Sequence, residues 1–276
     1  DVDLVLHMGD YIYDFVDADE AIRARKNRAT TTDVDYRDWT NIDELRRRYA
    51  LFRSDPNLAR AHQQHPWFIV WDNHDIDEDY GNELGAPALT STTTLEQCCQ
   101  AFWEWTPSRP PLADGSGAFL LVNDGSYPTP PDVTLLYRRL PYGPLATFYG
   151  VDTQIGLPGH GLTMDASHLG GASGQKSLLG KNQYQWLLQQ TKADQTADVT
   201  WKIINNQTWI APAGTPSGLP NPIELSRWMK AEYQTERTQL FQNLRSQGIH
   251  NTVWISGDMH GNFASDLIEN NGANAY

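Results

Sequence analysis

The sequence predicts an α/β layered domain. Short β-branched or apolar runs alternate with longer segments of helical periodicity, the pattern of strands covered by helices. The chain has 276 residues, with 10 Trp, 12 Tyr and 8 Phe. That much aromatic surface fits one large core and excludes a disordered chain. No repeat, low-complexity tract or linker interrupts it, so residues 1–276 read as a single domain.

Taken in order, the expected strands are Leu4–Met8, Trp67–Trp71, Thr134–Arg139, Ala146–Val151, Trp201–Ile204 and Thr252–Ser256. Each is a short apolar or β-branched run, many of them closed by polar or turn-forming residues. Between them Ile42, Leu45, Tyr49 and Phe52 recur at helical spacing. A second helix is read through Leu179, Gln183, Trp186, Leu187 and Gln190, and a third, charge-rich one through Trp228, Ala231, Thr235 and Leu244. Cys98 and Cys99 are adjacent in a further helical stretch, where strained geometry disfavours a bridge. Long loops rich in Pro and Gly are expected over Pro107–Pro131, Gly156–Gly174 and Pro212–Pro222.

A formal charge of -13 repels phosphate backbones and argues against a nucleic-acid scaffold. An anionic substrate would then need local positive charge, which a bound cation supplies. The longest apolar runs, such as 67–71 and 118–122, are far short of the roughly 20 residues that cross a bilayer. The chain opens on Asp1 inside a strand-like run, without an initiator Met or signal peptide, and stops at Tyr276; a fragment cut at both ends is expected.

Three expected strands end in clusters of oxygen and nitrogen donors, and in α/β folds sites assemble at the carboxyl ends of strands. The first is Gly9-Asp10-Tyr11-Ile12-Tyr13. Asp10 has two oxygens and suits a bridge between two metals, while a Tyr13 phenolate would require a strong Lewis acid such as Fe(III). The other reading makes Asp10 a turn residue and Tyr11 and Tyr13 core aromatics. The second cluster is Asp72-Asn73-His74-Asp75. Here an amide oxygen completes a coordination shell, an imidazole gives a proton to a leaving oxygen, and Asp75 holds that ring. Its alternative is a solvated acidic loop or a structural Ca²⁺ site. In the third, Asp258-Met259-His260, the two donors share one side of an extended segment, or else sit in a turn at the surface.

Weaker candidates surround these clusters. Asp152 reads best as a cap, Asn206 and Gln207 could line a pocket beyond Trp201–Ile204, and Arg138 and Arg139 could clamp phosphate or serve packing. No Gly-x-Ser-x-Gly elbow, Walker loop or Gly-x-Gly-x-x-Gly follows a strand, which leaves serine hydrolases and nucleotide binders without support.

Together, His7-Met8-Gly9-Asp10-Tyr11-Ile12-Tyr13, Trp71-Asp72-Asn73-His74-Asp75, Val151-Asp152-Thr153, the segment from Leu179 to Leu187, Asn206-Gln207 and Ser256 to His260 resemble the calcineurin-like metallophosphoesterases, and within them the PhoD-like alkaline phosphatases. The Gly-Asp-x-x-Tyr element is similar to purple acid phosphatases as well. The resemblance implies a four-layer α/β/β/α sandwich, incomplete here at both termini, and metal-dependent hydrolysis of phosphomonoesters or diesters. It implies Asp10, Tyr13, Asp72, Asn73, Asp258 and His260 as metal ligands, with Tyr13 and His260 on iron, and His74 and Asp75 as the catalytic pair. Arg138, Asn206 and Gln207 are the expected substrate contacts. The cofactors implied are Fe(III) and Ca²⁺, with Zn, Mn or Mg as alternatives. Export from the cytoplasm, a small-molecule or polymer phosphoester substrate and no transmembrane segment complete the expectation. Enzymes acting on lipid or polymer headgroups, and a non-catalytic Ca²⁺-binding derivative, are the competing readings.

Overall fold

The computed structural model describes residues 2–13, 39–76, 95–107, 136–154, 164–171, 174–211, 226–259 and 261–267. The chain divides into two compact units. One is formed by Asp1–Asn123 with Pro130–Leu135 and Pro158–His160, the other by Asp124–Thr129, Leu136–Leu157 and Gly161–Tyr276.

In the first unit, β1 (Val5–His7) and β2 (Trp67–Ile69) pair in parallel, with Val5 opposite Trp67 and His7 opposite Ile69. Parallel partners need a crossover, and two helices provide part of it. Helix α1 (Ile42–Arg53) starts where the Asn41 side chain accepts from the Asp43 and Glu44 N–H groups, while Glu44 reaches back to the Thr40 N–H at 2.8 Å. This reciprocal cap satisfies donors that the first turn leaves open. The periodicity read from the sequence becomes its buried face, Leu45, Tyr49 and Phe52. Helix α2 (Pro56–Gln64) is capped by Asp55 and has Pro at its first turn, where the missing N–H costs nothing. A four-residue turn of helix, α3 (Asn73–Ile76), follows β2, and α4 (Leu95–Trp105) packs on α1. Cys98 and Cys99 lie in α4, both buried and neither in a disulfide.

The second unit is a four-stranded sheet in the order β3 (Arg138–Tyr142), β4 (Ala146–Gly150), β5 (Trp201–Asn205), β6 (Thr252–Ile255). The β3–β4 pair is antiparallel and the other two pairings are parallel. Helices α5 (Gly180–Thr196) and α6 (Gln234–Ser246) supply the rest of its core, in which Tyr149, Ile204, Leu187, Trp228 and Phe241 are buried together. Glu236 of α6, fully buried, accepts from the Leu178 N–H at 2.6 Å and from the Ser177 hydroxyl, and so fastens the start of α5. On the alternate side of the strands, Trp201 and Val253 are exposed and Phe148 and Ile203 half-buried.

Two expected elements differ. The third strand runs toward the turn, with Pro141 opposite Thr147, because the hairpin closes through Gly143 at φ 55 and an edge strand tolerates Pro; residues 134 and 135 lie outside the described part. The third helix breaks. Arg227–Met229 is a 3₁₀ turn, and Lys230 is extended before α6 begins. The molecule is an α/β fold with two sheets and flanking helices.

Candidate active site

Where β1 ends, Gly9 turns at φ 105. A Cβ there would lie 2.4 Å from the Asp72 Cβ, so only glycine lets the two strand-end loops of the first unit touch. Asp10 follows in the left-handed region at φ 54, a conformation that non-glycine residues hold at a cost and that concentrates at functional sites. Its carboxylate accepts from the His74 N–H at 3.3 Å and from the Tyr13 hydroxyl at 3.5 Å. The Tyr13 and His74 rings stack with centroids 4.1 Å apart. The Tyr13 carbonyl accepts from the buried Arg48 guanidinium of α1. The structure therefore gathers Asp10, Tyr13 and His74, with Asn73 half-buried beside them.

Beneath this group lies Asp75, wholly buried. Its two oxygens accept from the Ile12 N–H at 3.1 Å and the Asp72 N–H at 3.0 Å, so one carboxylate clips the loop after β1 to the loop after β2. Burial, with the nearby Asp10 charge, pushes its pKa up to about 7. Burial first, and then Asp10, pushes the Tyr13 phenol above its ordinary value. A neutral phenol suits the donation to Asp10.

The second unit repeats the motif at the end of β6. Gly257 precedes Asp258, again left-handed at φ 66. Sequence reasoning expected Asn206 and Gln207 at a pocket wall. Both are fully buried and their amides serve neighbouring strand ends. Gln207 donates to the Val151 carbonyl at 2.6 Å and accepts from Thr153, while Asn206 donates to the Thr208 carbonyl. Asp152, buried, receives Gln183 on its carbonyl at 2.8 Å, and its carboxylate accepts from the Gln154 N–H at 2.9 Å, as a local cap does. Arg138 sits on β3 and donates to the Leu136 carbonyl at 3.1 Å. The residue missed was Thr208, whose hydroxyl donates to Asp258 at 2.9 Å; a lone Thr gave no signal in the sequence. His260 lies outside the described residues.

The cofactor expectation is corrected. Among the described residues no group of three or more His, Cys, Asp or Glu side chains is placed to hold a metal ion, so the Fe(III) and Ca²⁺ centre, or its Zn, Mn or Mg substitutes, is not formed by them. The physical reason is visible at three of the four described strand-end carboxylates of the expected site. Asp10 is engaged by His74 and Tyr13, Asp75 by two backbone N–H groups, and Asp258 by Thr208.

Strand-end carboxylates, a buried imidazole and a phenol are thus set on an α/β frame. Comparison then gives the family. The chain belongs to the PhoD-like phosphatase family, which it matches over residues 1–275. It is 28% identical over 275 residues to alkaline phosphatase D of Bacillus subtilis (strain 168), an alignment covering 96% of this chain and 42% of that protein. A solved structure, "Structure of PhoD", is similar with a TM-score of 0.66 and 26% identity, over 98% of this chain and 48% of that one. The chain thus spans less than half the length of both relatives. Among the described residues no helix is long and apolar enough to cross a membrane.

Proposed function

We propose that this chain carries a phosphoester hydrolase site acting on phosphomonoesters or diesters, a reading supported by the phosphatase name of its Bacillus relative. The observation that carries the reading is the Asp10–Tyr13–His74 group, set at strand ends in a chain that matches a phosphatase family from residue 1 to residue 275. Water attacks phosphorus in line and passes one proton to a phosphoryl oxygen, the bond to the leaving oxygen breaks, the His74 imidazolium gives that oxygen its proton, and the imidazole is reprotonated from solvent for the next turnover. Asp75 supports the step by holding both loops in place, and Asn73 adds to the polar lining. The frame we propose is the four-layer α/β/β/α sandwich, with residues 1–276 working as one catalytic domain. Support comes from the second sheet, where helices pack on one face and Phe148, Ile203 and Val253 leave an apolar surface on the other. Export is proposed with the family.

Hydrolysis of aryl phosphate mono- and diesters by the chain and by His74→Asn is the test. The expected result is measurable turnover that falls about 10²–10⁴-fold in the variant. Absence of turnover, or a His74→Asn protein as active as its parent, overturns the proposal.

A further inference from the structure

The loop after β1 is held at more than one place. From beneath, Asp75 meets the Ile12 N–H at 3.1 Å and faces the Tyr11 N–H as well. At the side, the buried Tyr11 ring ends in a hydroxyl 2.7 Å from Nε2 of His62, on α2. That hydroxyl has no other acceptor among the described residues, and the Arg53 guanidinium, its carbon 5.6 Å from the ring centroid, can only donate. The phenol therefore donates and Nε2 accepts. Burial pushes the phenol up to about 12, which keeps its proton in place. His62 is itself fixed. Its ring stacks on Trp67 with centroids 4.0 Å apart and planes inclined by 13°, and the Trp67 indole N–H donates to the Ala61 carbonyl at 3.3 Å, which ties α2 to the first residue of β2.

We propose that His62 is a positioning residue for Asp10 and Tyr13, acting through the Tyr11 hydroxyl. The inference rests on the reading of the Asp10–Tyr13–His74 group as a phosphoester hydrolase site, and every residue it uses lies in the first unit. Two adjacent backbone N–H groups on the one Asp75 carboxylate act as a single hinge point, and a loop held at one point can still turn about it. The far end of the Tyr11 side chain supplies the second point. The ring also meets His7 and Tyr49, with centroids 5.3 and 6.1 Å away, but such contacts fill space without selecting a direction as a hydrogen bond does. Tyr11 stands between Asp10, left-handed at φ 54, and Tyr13, whose hydroxyl donates to Asp10. A turn of the loop at Tyr11 moves both groups.

His62→Leu removes the acceptor and keeps an apolar side chain beside Trp67, while His62→Gln brings an oxygen close to the place of Nε2. With an aryl phosphate as substrate, His62→Leu is expected to lose about 10- to 100-fold in kcat with KM within about twofold, the scale of a displacement of up to an ångström. His62→Gln is expected to regain most of that loss. Tyr11→Phe breaks the same bond from the other side and should match His62→Leu, with the double variant no worse than either. Parental kcat in folded His62→Leu, equal losses in the leucine and glutamine variants, or losses that multiply in the double variant overturn the proposal. Amide hydrogen exchange reads the anchor without any turnover. The His74 N–H, held by Asp10, should exchange about tenfold faster in His62→Leu and in Tyr11→Phe, while the Phe102 amide of α4 keeps its parental rate. A merely structural role would speed both amides together, and that result, or no change at His74, overturns the proposal. A parent chain that hydrolyses nothing, with the His74 amide still responding alone, refutes the phosphoesterase reading and leaves the His62 anchor standing.

Discussion

Gly9 shows how much can rest on the absence of a side chain. Its φ of 105 and the 2.4 Å approach of a Cβ to Asp72 act together, so relief from one leaves the other. Gly9→Ala is expected to cost about 2–4 kcal/mol in urea unfolding and to abolish hydrolysis in whatever remains folded. A variant of parental stability would mean that the loops do not meet there. A second prediction concerns His62, whose imidazole meets the Tyr11 hydroxyl at 2.7 Å and stacks on Trp67 with centroids 4.0 Å apart. Burial, helped by the Arg53 and His7 charges, lowers its pKa to about 4. The unfolded chain therefore takes up this proton first, and the stability that neutral His62 contributes is whole above about pH 6.5 and lost as the pH falls toward 4. Buried His7, also lowered to about 4, has the same sign, whereas Asp75, raised to about 7, has the opposite one. The clean measurement is a difference. Between pH 6.5 and 4, His62→Gln should lose less stability than the parent, and parallel curves would count against the assignment. At this scale the sequence already marked Asp10, Tyr13 and His74 because their chemistry is distinctive. Asp75 was marked for a different task, since nothing in its spacing tells that both oxygens meet backbone donors from two loops.

Helices and strands were legible where one face is buried and illegible where a tertiary tie sets the boundary. Leu45, Tyr49 and Phe52 keep helical spacing and form a buried face. The break after Met229 carries no glycine or proline; the buried Trp228, the Gln234 amide donating to the Met229 carbonyl at 2.8 Å and the reach of Glu236 across to α5 accompany it. Pro141 reads as a stop in one dimension and becomes an edge position once β4 pairs beside it. These ties differ in energetic weight. Glu236 is buried and accepts from backbone and side-chain donors, so Glu236→Ala strands several polar groups and should cost about 3 kcal/mol or more. Arg46 meets Glu104 with two bonds of 2.7 Å at the surface, where water screens the pair, and Arg46→Ala should cost no more than about 1 kcal/mol. Thermal and urea melts of the two variants check the order, and a larger loss from Arg46→Ala would reverse the argument.

Across the whole chain, the order of the motifs was the most informative feature of the sequence, and the match over residues 1–275 to the PhoD-like phosphatases agrees with it. The metal centre was inferred from donor types at three strand ends and from the family resemblance. Donor type does not reveal how many oxygens are already committed, and neighbouring N–H and O–H groups engage both oxygens of Asp10 and Asp75 and one of Asp258.

The strand register also bears on the time the molecule needs to form. Three of the described pairings are parallel, joining Val5 to Trp67, Ala146 to Trp201 and Lys202 to Thr252, so each waits for some fifty or sixty residues to close a loop. The hairpin of β3 and β4 closes over a few residues through Gly143, a difference of about 2 kcal/mol in closure entropy. The hairpin is therefore the natural seed of the second sheet, and β1 on β2 a late and slow event. In stopped-flow refolding, Gly143→Ala should slow the phase that builds the sheet, whereas a truncation of Phe68 in β2 should chiefly speed unfolding. A molecule laid out this way spends its early life with the hairpin formed and the loop bearing Asp10 still unanchored.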